Sequence, residues 1–293
     1  LNIYSPKNIA LLCEKHGFSF KKQYGQNFLI NEGVPERIAL CAAEFFAGKS
    51  GKKCCVEIGP GIGSLTLKLA ENFDSVVSLE VDSSLEEMLG DVTAHCGNLR
   101  VIYADALKTD LSALCAESFG NEKAVLCANL PYSVTSEAIM HVLKSECFSD
   151  TVVMIQKEVA RRLCAAPGSP EYGSITAAAS YFASIKPLFD VAPGNFIPRP
   201  KVTSTVIRMT PYEKKPVTPK DEKLFFDVIK GCFAQRRKTV KNSLAAYFSD
   251  RYTKEETEAF LTSCGISPDA RGETLTLSQV CAVSDAMALS GKT

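Results

Sequence analysis

Lys53-Cys54-Cys55-Val56-Glu57-Ile58-Gly59-Pro60-Gly61-Ile62-Gly63-Ser64 runs from an apolar stretch into three closely spaced glycines. The apolar part, residues 53–58, predicts a buried strand, and the glycines predict a sharp turn whose backbone can approach a ligand. A helix is expected from Ser64 to about Asn72. Turns of this kind bind many nucleotides, so this one alone names no reaction. Ser64 stands where a dinucleotide fingerprint has its third glycine. Glu57, two residues before Gly59, brings negative charge, which suits a sulfonium or amino group better than a pyrophosphate.

Outward from this turn, strands and helices alternate. Residues 75–80, 99–103, 124–128 and 151–156 predict further strands, with helices near 84–89, 136–144 and 157–164. Such alternation predicts a parallel sheet covered on both faces, a Rossmann-like α/β fold. The β-rich runs 185–191 and 202–209 are joined by a Pro-rich loop, which suits an antiparallel hairpin at one sheet edge. Upstream, Ser5-Pro6 opens a helix ending at Gly17, and Asn31 caps a second one reaching about Phe46. Beyond Met209 the composition changes: residues 210–220 carry Pro211, Pro216 and Pro219 among charges and read as a linker. Residues 223–233, 237–248, 254–262 and 277–289 then show helical spacing only. The expected domains are 1–210, with 1–48 as a helical extension and ligand loop, and a small all-α domain at 211–293.

An apolar fraction of 46% over 293 residues is ample for a buried core. No apolar run reaches the length of a membrane span, and no secretory signal pattern opens the chain. Twelve cysteines without a Cys-x-x-Cys pair argue for a reduced, cytoplasmic protein rather than a disulfide scaffold or zinc site. His16, His95 and His141 show no metal spacing, so no metal is expected. The net charge of +0 excludes a wholly basic nucleic-acid binder. Its distribution is uneven: residues 71–99 hold seven acids and no Lys or Arg, while residues 213–241 hold nine Lys/Arg against four Asp/Glu. A local positive excess is what phosphate contacts require.

Open parallel sheets bind ligands beyond the carboxyl ends of their strands, and the candidate residues fall there. Glu80 ends the second strand, where an acid can accept both hydroxyls of a ribose; this indicates an adenosine cofactor without choosing which. Asp105, after the third strand, can accept from an adenine amine. Asn129-Leu130-Pro131-Tyr132 closes the fourth strand, and here the chemistry narrows to methyl transfer onto an amino nitrogen. An aromatic amine shares its lone pair with its ring. Acceptors for both of its protons favour a pyramidal, nucleophilic nitrogen: the Asn129 side-chain oxygen and a backbone carbonyl held by Pro131. Tyr132 can stack on the base. No strong general base is needed, because the methylated ammonium nitrogen is acidic.

These residues are joined by Gly25-Gln26-Asn27-Phe28-Leu29, Asp105-Ala106-Leu107, the stretch Phe196-Ile197-Pro198-Arg199-Pro200-Lys201-Val202-Thr203-Ser204, and Phe233-Ala234-Gln235-Arg236-Arg237-Lys238-Thr239-Val240. Together they resemble the ribosomal RNA adenine N6,N6-dimethyltransferase family, in its small-subunit (16S) branch, over nearly the whole length. The resemblance implies a class I methyltransferase sheet with an antiparallel edge hairpin and S-adenosyl-L-methionine as donor. It implies as target two adjacent adenines in the 3′-terminal hairpin loop of 16S rRNA, within the small subunit or its precursor, and a monomeric enzyme. By position, Gln26, Asn27, Leu29, Glu57, Gly59, Gly61, Gly63, Glu80, Asp105 and Asn129 would surround the cofactor. Asn129, Leu130, Pro131 and Tyr132 would form the acceptor end, with Phe196 as the other aromatic wall of the base pocket. Lys21, Lys22, Arg199, Lys201, Arg236, Arg237, Lys238 and Lys241 would meet RNA phosphates. Two positions depart from the family pattern: Lys22-Gln23-Tyr24, where Ser and a smaller residue are expected, and Ser180, where glutamine is often found. The alternatives are a 23S rRNA adenine methyltransferase of the antibiotic-resistance type and a non-catalytic ribosome-assembly factor on the same fold.

Overall fold

The computed structural model describes residues 2–21 and 25–291. The chain forms two compact units, Leu1–Ala160 with Ile185–Pro211, and Arg161–Ser184 with Tyr212–Thr293.

Helix α1 (Pro6–Lys15) opens the first unit and is followed by β1 (Phe28–Leu29) and α2 (Gly33–Ala43). The cap position of α2 falls on Glu32, whose side chain makes no cap bond, one residue after the expected Asn31; Asn31 Oδ1 accepts the Gly33 N–H at 3.1 Å. The alternating region comprises β2 (Cys54–Ile58), α3 (Ser64–Asn72), β3 (Ser75–Glu80), α4 (Glu86–Thr93), β4 (Leu99–Tyr103), α5 (Leu111–Phe119), β5 (Ala124–Asn129), α6 (Thr135–Ser145) and β6 (Phe148–Gln156). Next come α7 (Lys157–Leu163), α8 (Ser174–Phe182), β7 (Ala183–Val191), β8 (Phe196–Ile197) and β9 (Ser204–Pro211). Seven strands form one sheet in the order β4-β3-β2-β5-β6-β9-β7. β2 to β6 pair in parallel, and β9 runs antiparallel to β6 with β7 outside it. All five residues of β2 are buried, as expected for a strand covered on both faces.

The strand order turns back at β2: β3 and β4 lie to one side and β5 to the other. A crevice opens at such a switch point, beyond the carboxyl ends of the strands. Register aligns those ends, since Ile58 faces Leu79 and Ala128, and Glu80 faces Tyr103.

Four elements, α5, α8, β1 and β8, have no counterpart among the expected strands and helices. Helix α5 occupies a stretch to which the sequence assigns no element, capped by Asp110, whose Oδ1 accepts the Ala113 N–H at 3.0 Å. β1 and β8 form a separate two-stranded ribbon in which Phe28 faces Ile197 and Leu29 faces Phe196. Opposed residues project to the same side, so the ribbon divides its side chains between two cores. Phe28 joins Ile3, Ile9, Phe18, Ile62 and Met88, whereas Leu29 and Phe196 join the main core with Ile38, Leu65 and Val125.

The second unit contains α8, α9 (Glu222–Phe233), α10 (Val240–Tyr247), α11 (Lys254–Ser263) and α12 (Leu277–Leu289). The last four are capped by Asp221, Thr239, Thr253 and Thr276, each accepting a backbone N–H near the helix start. Such caps contribute about 1 kcal/mol apiece. The helix expected from residue 237 begins only at Val240, because Thr239 caps it there and residues 234–238 form a turn and bend. Tyr181 of α8 packs 5.2 Å from Phe225 and donates its hydroxyl to Glu222 at 3.0 Å.

One charged side chain lies wholly inside the sheet. Glu57 on β2 is fully buried, with Oε2 accepting from Ser78 at 2.6 Å and Thr66 at 2.8 Å. Its Oε1 has no hydrogen-bond partner among the described residues. Burial pushes its pKa up from 4.5 to about 7, against the opposing pull of the Ser78 and Thr66 hydrogen bonds. The unfolded chain therefore releases this proton before the folded one does. The resulting stabilisation is complete below pH 4.5 and is lost as pH rises to about 7. Glu57→Gln should remove this component, shifting stability in favour of the variant by about 3 kcal/mol across that window. Urea unfolding of both proteins over the pH range measures it; parallel pH profiles would contradict the assignment.

Candidate active site

A cavity of about 290 Å³ opens at the carboxyl ends of β2, β3, β4 and β5. It brings together Gln26, Asn27, Leu29, Gly59, Gly61, Glu80, Asp105, Asn129, Leu130, Pro131 and Tyr132, residues spread over more than a hundred positions of sequence.

The Gly-rich turn after β2 forms one wall. Gly59 and Gly61 have φ of 72° and 58°, a region that side-chain-bearing residues rarely adopt. A β-carbon at Gly59 would meet no atom within 4 Å, so the backbone there borders open space. At Gly61 a β-carbon would come within 3.0 Å of the Phe28 ring, which lies directly on the turn. The Gly61 N–H donates to Glu80 Oε2 at 3.0 Å, and the Asp82 N–H donates to Glu80 Oε1 at 2.9 Å. These two bonds hold the carboxylate in place and occupy only part of its accepting capacity. Burial raises the Glu80 pKa, while the backbone N–H groups of Asp82 and Gly61 oppose the rise.

The segment before β1 forms the second wall. Gln26 Nε2 donates to Asp82 Oδ2 at 3.0 Å, and Asn27 Nδ2 donates to the Gly25 carbonyl at 2.8 Å. Asn129 Nδ2 donates to the Asn27 carbonyl at 3.0 Å. A carbonyl only accepts, so the amide nitrogen must face it, and Asn129 Oδ1 is left as an acceptor. The Pro131 carbonyl is taken by the Val134 N–H at 3.3 Å and Thr135 Oγ1 at 3.0 Å. The Leu130 carbonyl accepts no hydrogen bond among the described residues, and Pro131 supplies no N–H. Tyr132 Oη lies 2.8 Å from Ser204 Oγ, which fixes the ring at the edge of the cavity.

Asp105 forms the far wall, its Oδ1 accepting the Leu107 N–H at 3.0 Å. Val81 and Leu107 add apolar surface on that side. His141 also lines the cavity, and its Nε2 donates to the Thr109 carbonyl at 3.0 Å. Sequence reasoning missed His141 because one histidine on a helix carries no pattern. Val81 and Leu107 were legible only as neighbours of Glu80 and Asp105.

Three expected site residues lie elsewhere. Glu57 faces Ser78 and Thr66 inside the sheet and does not line the cavity, so its charge is withdrawn from the ligand space. Gly63, at φ 90°, starts α3, and a β-carbon there would meet Val92 and Leu89 at 3.1 and 3.2 Å: it is a packing glycine. Phe196 is 3% exposed and belongs to the main core, because its pairing with Leu29 turns the ring inward. It does not line the cavity.

The basic residues differ in availability. Lys21 is bonded to Asp82 at 2.8 Å and to Ser84 at 2.6 Å, and Lys241 to Glu258 at 3.1 Å. Arg236 is bonded to the Pro170 carbonyl and lies 3.8 Å from Glu273. Arg199, Lys201, Arg237 and Lys238 are exposed, and none of their side chains has a hydrogen bond or ion pair among the described residues. Lys22 lies outside the described residues. Those residues contain no cluster suited to a metal and no helix long and apolar enough to cross a membrane. All twelve cysteines are free.

Residues 17–289 match the family model described as ribosomal RNA adenine dimethylase. The chain is 42% identical over 289 residues to ribosomal RNA small subunit methyltransferase A of Geobacillus thermodenitrificans, covering 98% of this chain and 97% of that protein. To the protein of that name from Shouchella clausii it is 40% identical over 288 residues, covering 98% and 96%. Among solved structures, a dimethyladenosine transferase from Plasmodium falciparum superposes with a TM-score of 0.72 at 24% identity, covering 90% of this chain and 98% of that one. The 23S rRNA methyltransferase ErmE gives 0.62 at 22% identity, covering 89% and 99%. At such identities the structural likeness speaks for the fold, while the longer, closer sequence matches speak for the family. The chain belongs to the ribosomal RNA adenine dimethylase family.

Proposed function

We propose that this protein transfers methyl groups from S-adenosyl-L-methionine to N6 of two adjacent adenines in the 3′-terminal hairpin loop of 16S rRNA. The target lies within the small subunit or its precursor, and the enzyme acts as a cytoplasmic monomer. The observation that carries this reading is the fixed orientation of the Asn129 amide. With Nδ2 bound to the Asn27 carbonyl, Oδ1 accepts one proton of the target amine, and the Leu130 carbonyl accepts the other. The nitrogen lone pair is then withdrawn from the ring and free to attack. Tyr132 presents its ring to the base.

The cavity fits the cofactor in its donor set and its shape. Glu80 keeps lone pairs for ribose hydroxyls, Gly59 leaves its side-chain space open, and Asp105 faces the same cavity as an acceptor for an adenine amine. Gln26, Asn27, Leu29 and Gly61 complete the enclosure. S-adenosylmethionine, when bound, supplies the electrophilic methyl carbon. The amine loses its proton to water, so no chain residue need serve as a strong base. Arg199, Lys201, Arg237 and Lys238 are the cations best available for RNA phosphates, and Arg236 lies beside Arg237. The relatives that match nearly the full chain bear small-subunit names, which favours 16S over 23S rRNA.

Asn129→Ala should lower methyl incorporation into small-subunit particles by roughly 10²–10³-fold while RNA affinity is unchanged. Labelled-methyl incorporation and filter binding test it together; turnover within about twofold of the parent would refute the role of Asn129. Label appearing only in large-subunit RNA would refute the substrate. Replacing both Arg237 and Lys238 with Ala should reduce the slope of log affinity against log salt by roughly 1.5. An unaltered slope would remove these residues from the RNA contact.

A further inference from the structure

Cys115 and Cys147 meet outside the cavity, with Sγ atoms 3.7 Å apart. Cys115 lies on α5 and is buried, whereas Cys147 is partly exposed in the turn between α6 and β6. That turn is held by unusual local structure. Glu146, immediately before Cys147, has φ 51° and is the only non-glycine with positive φ among the described residues. Ser112 Oγ donates to the Ser145 carbonyl at 2.9 Å, tying α5 to the same turn. Ser145 Oγ lies 3.2 Å from Cys147 Sγ and 2.7 Å from the Val142 carbonyl, so its proton can turn to the sulfur.

We propose that Cys115 and Cys147 form a peroxide-oxidisable dithiol that closes reversibly to a disulfide. The two thiols have distinct roles. Hydrogen bonding from Cys115 pulls the Cys147 thiol below the ordinary thiol range, with Ser145 and Ser112 assisting against burial, which favours its thiolate. The Cys115 thiol is pushed up, chiefly by its hydrogen bond to Cys147 and then by burial, and it stays protonated as the donor. By contrast, burial alone raises the partly exposed Cys13 and Cys164 thiols.

The Cys147 thiolate attacks a peroxide oxygen; a sulfur–oxygen bond forms, the O–O bond breaks, and hydroxide leaves. Cys147 sulfur is oxidised by two electrons to the sulfenic acid as the peroxide is reduced. Cys115 sulfur then attacks Cys147 sulfur, forming the S–S bond, and water departs with the Cys115 proton. The link would join α5 to the α6–β6 turn. α5 follows the segment that carries Asp105, and α6 carries His141, so the bond would brace two neighbours of the cavity.

The intact chain is well suited to the test, because trypsin releases Cys115 in residues 109–123 and Cys147 in residues 145–157, each with one cysteine. After peroxide treatment and alkylation of remaining thiols, non-reducing mass spectrometry should find these peptides joined, and dithiothreitol should separate them. Before oxidation, Cys147 should alkylate at pH 7 roughly five- to tenfold faster than an ordinary exposed thiol. In Cys115→Ser, Cys147 should instead be trapped by dimedone as the sulfenic acid; in Cys147→Ser, Cys115 should remain reduced. Methylation by either unoxidised variant should match the parent. Peroxide oxidising other cysteines while this pair stays reduced, or Cys147 advancing to sulfinic acid without pairing, would overturn the proposal.

Discussion

The hydrogen bond from Asn129 Nδ2 to the Asn27 carbonyl, 3.0 Å long, joins residues 102 positions apart that both line the cavity. It fixes which end of the Asn129 amide faces the cavity. It also ties the segment before β1 to the carboxyl end of β5. Gly25 lies alongside the loop after β5, where a β-carbon would sit 3.6 Å from Pro131 Cβ. The ribbon of β1 and β8 anchors the approach, with Phe28 held in one core and Leu29 in the other. A two-residue strand has little stability of its own, and these two apolar anchors supply it.

The sheet provides the rest of the positioning. Because the strand order turns back at β2, Gly59, Glu80, Asp105 and Asn129 converge beyond four adjacent strand ends. Glu80 is placed by backbone donors, which leave its orientation independent of other side chains. Glu57 serves differently. Its bonds to Ser78 and Thr66 join β2 to β3 and α3 beneath the glycine turn, at the cost of a carboxyl group with one unpartnered oxygen. Two carboxyl groups on neighbouring strands thus divide into one that faces the ligand space and one that braces it from below.

The fold class was legible because buried parallel strands read as continuous apolar runs between helices, and the strand ends at Glu80 and Asn129 could be located to within a residue. Cavity residues tied to those ends, Gly59, Asp105 and Tyr132 among them, followed directly. What failed was side-chain direction. Glu57 and Gly63 sit in the same short motif as Gly59 and Gly61, yet one points into the sheet and the other packs against α4. Phe196 was misread because a two-residue strand carries no periodicity, so its pairing with Leu29 could not be anticipated. α5 did carry a signal in the spacing of Leu111, Leu114, Cys115 and Phe119, behind a polar opening that resembles a loop. The basic turn before α10 looked helical because no glycine or proline separates Arg237 from Val240; only the cap at Thr239 marks where α10 starts.

In the proposed reaction one purine amine is held by two oxygens, Asn129 Oδ1 and the Leu130 carbonyl. A crystal structure of the protein with adenosine and S-adenosylhomocysteine measures this directly. The exocyclic nitrogen of the adenosine should lie within about 3 Å of both oxygens, with Asn129 Nδ2 still on the Asn27 carbonyl. An adenosine amine bonded elsewhere, or an Asn129 amide turned to present its nitrogen to the base, would contradict it.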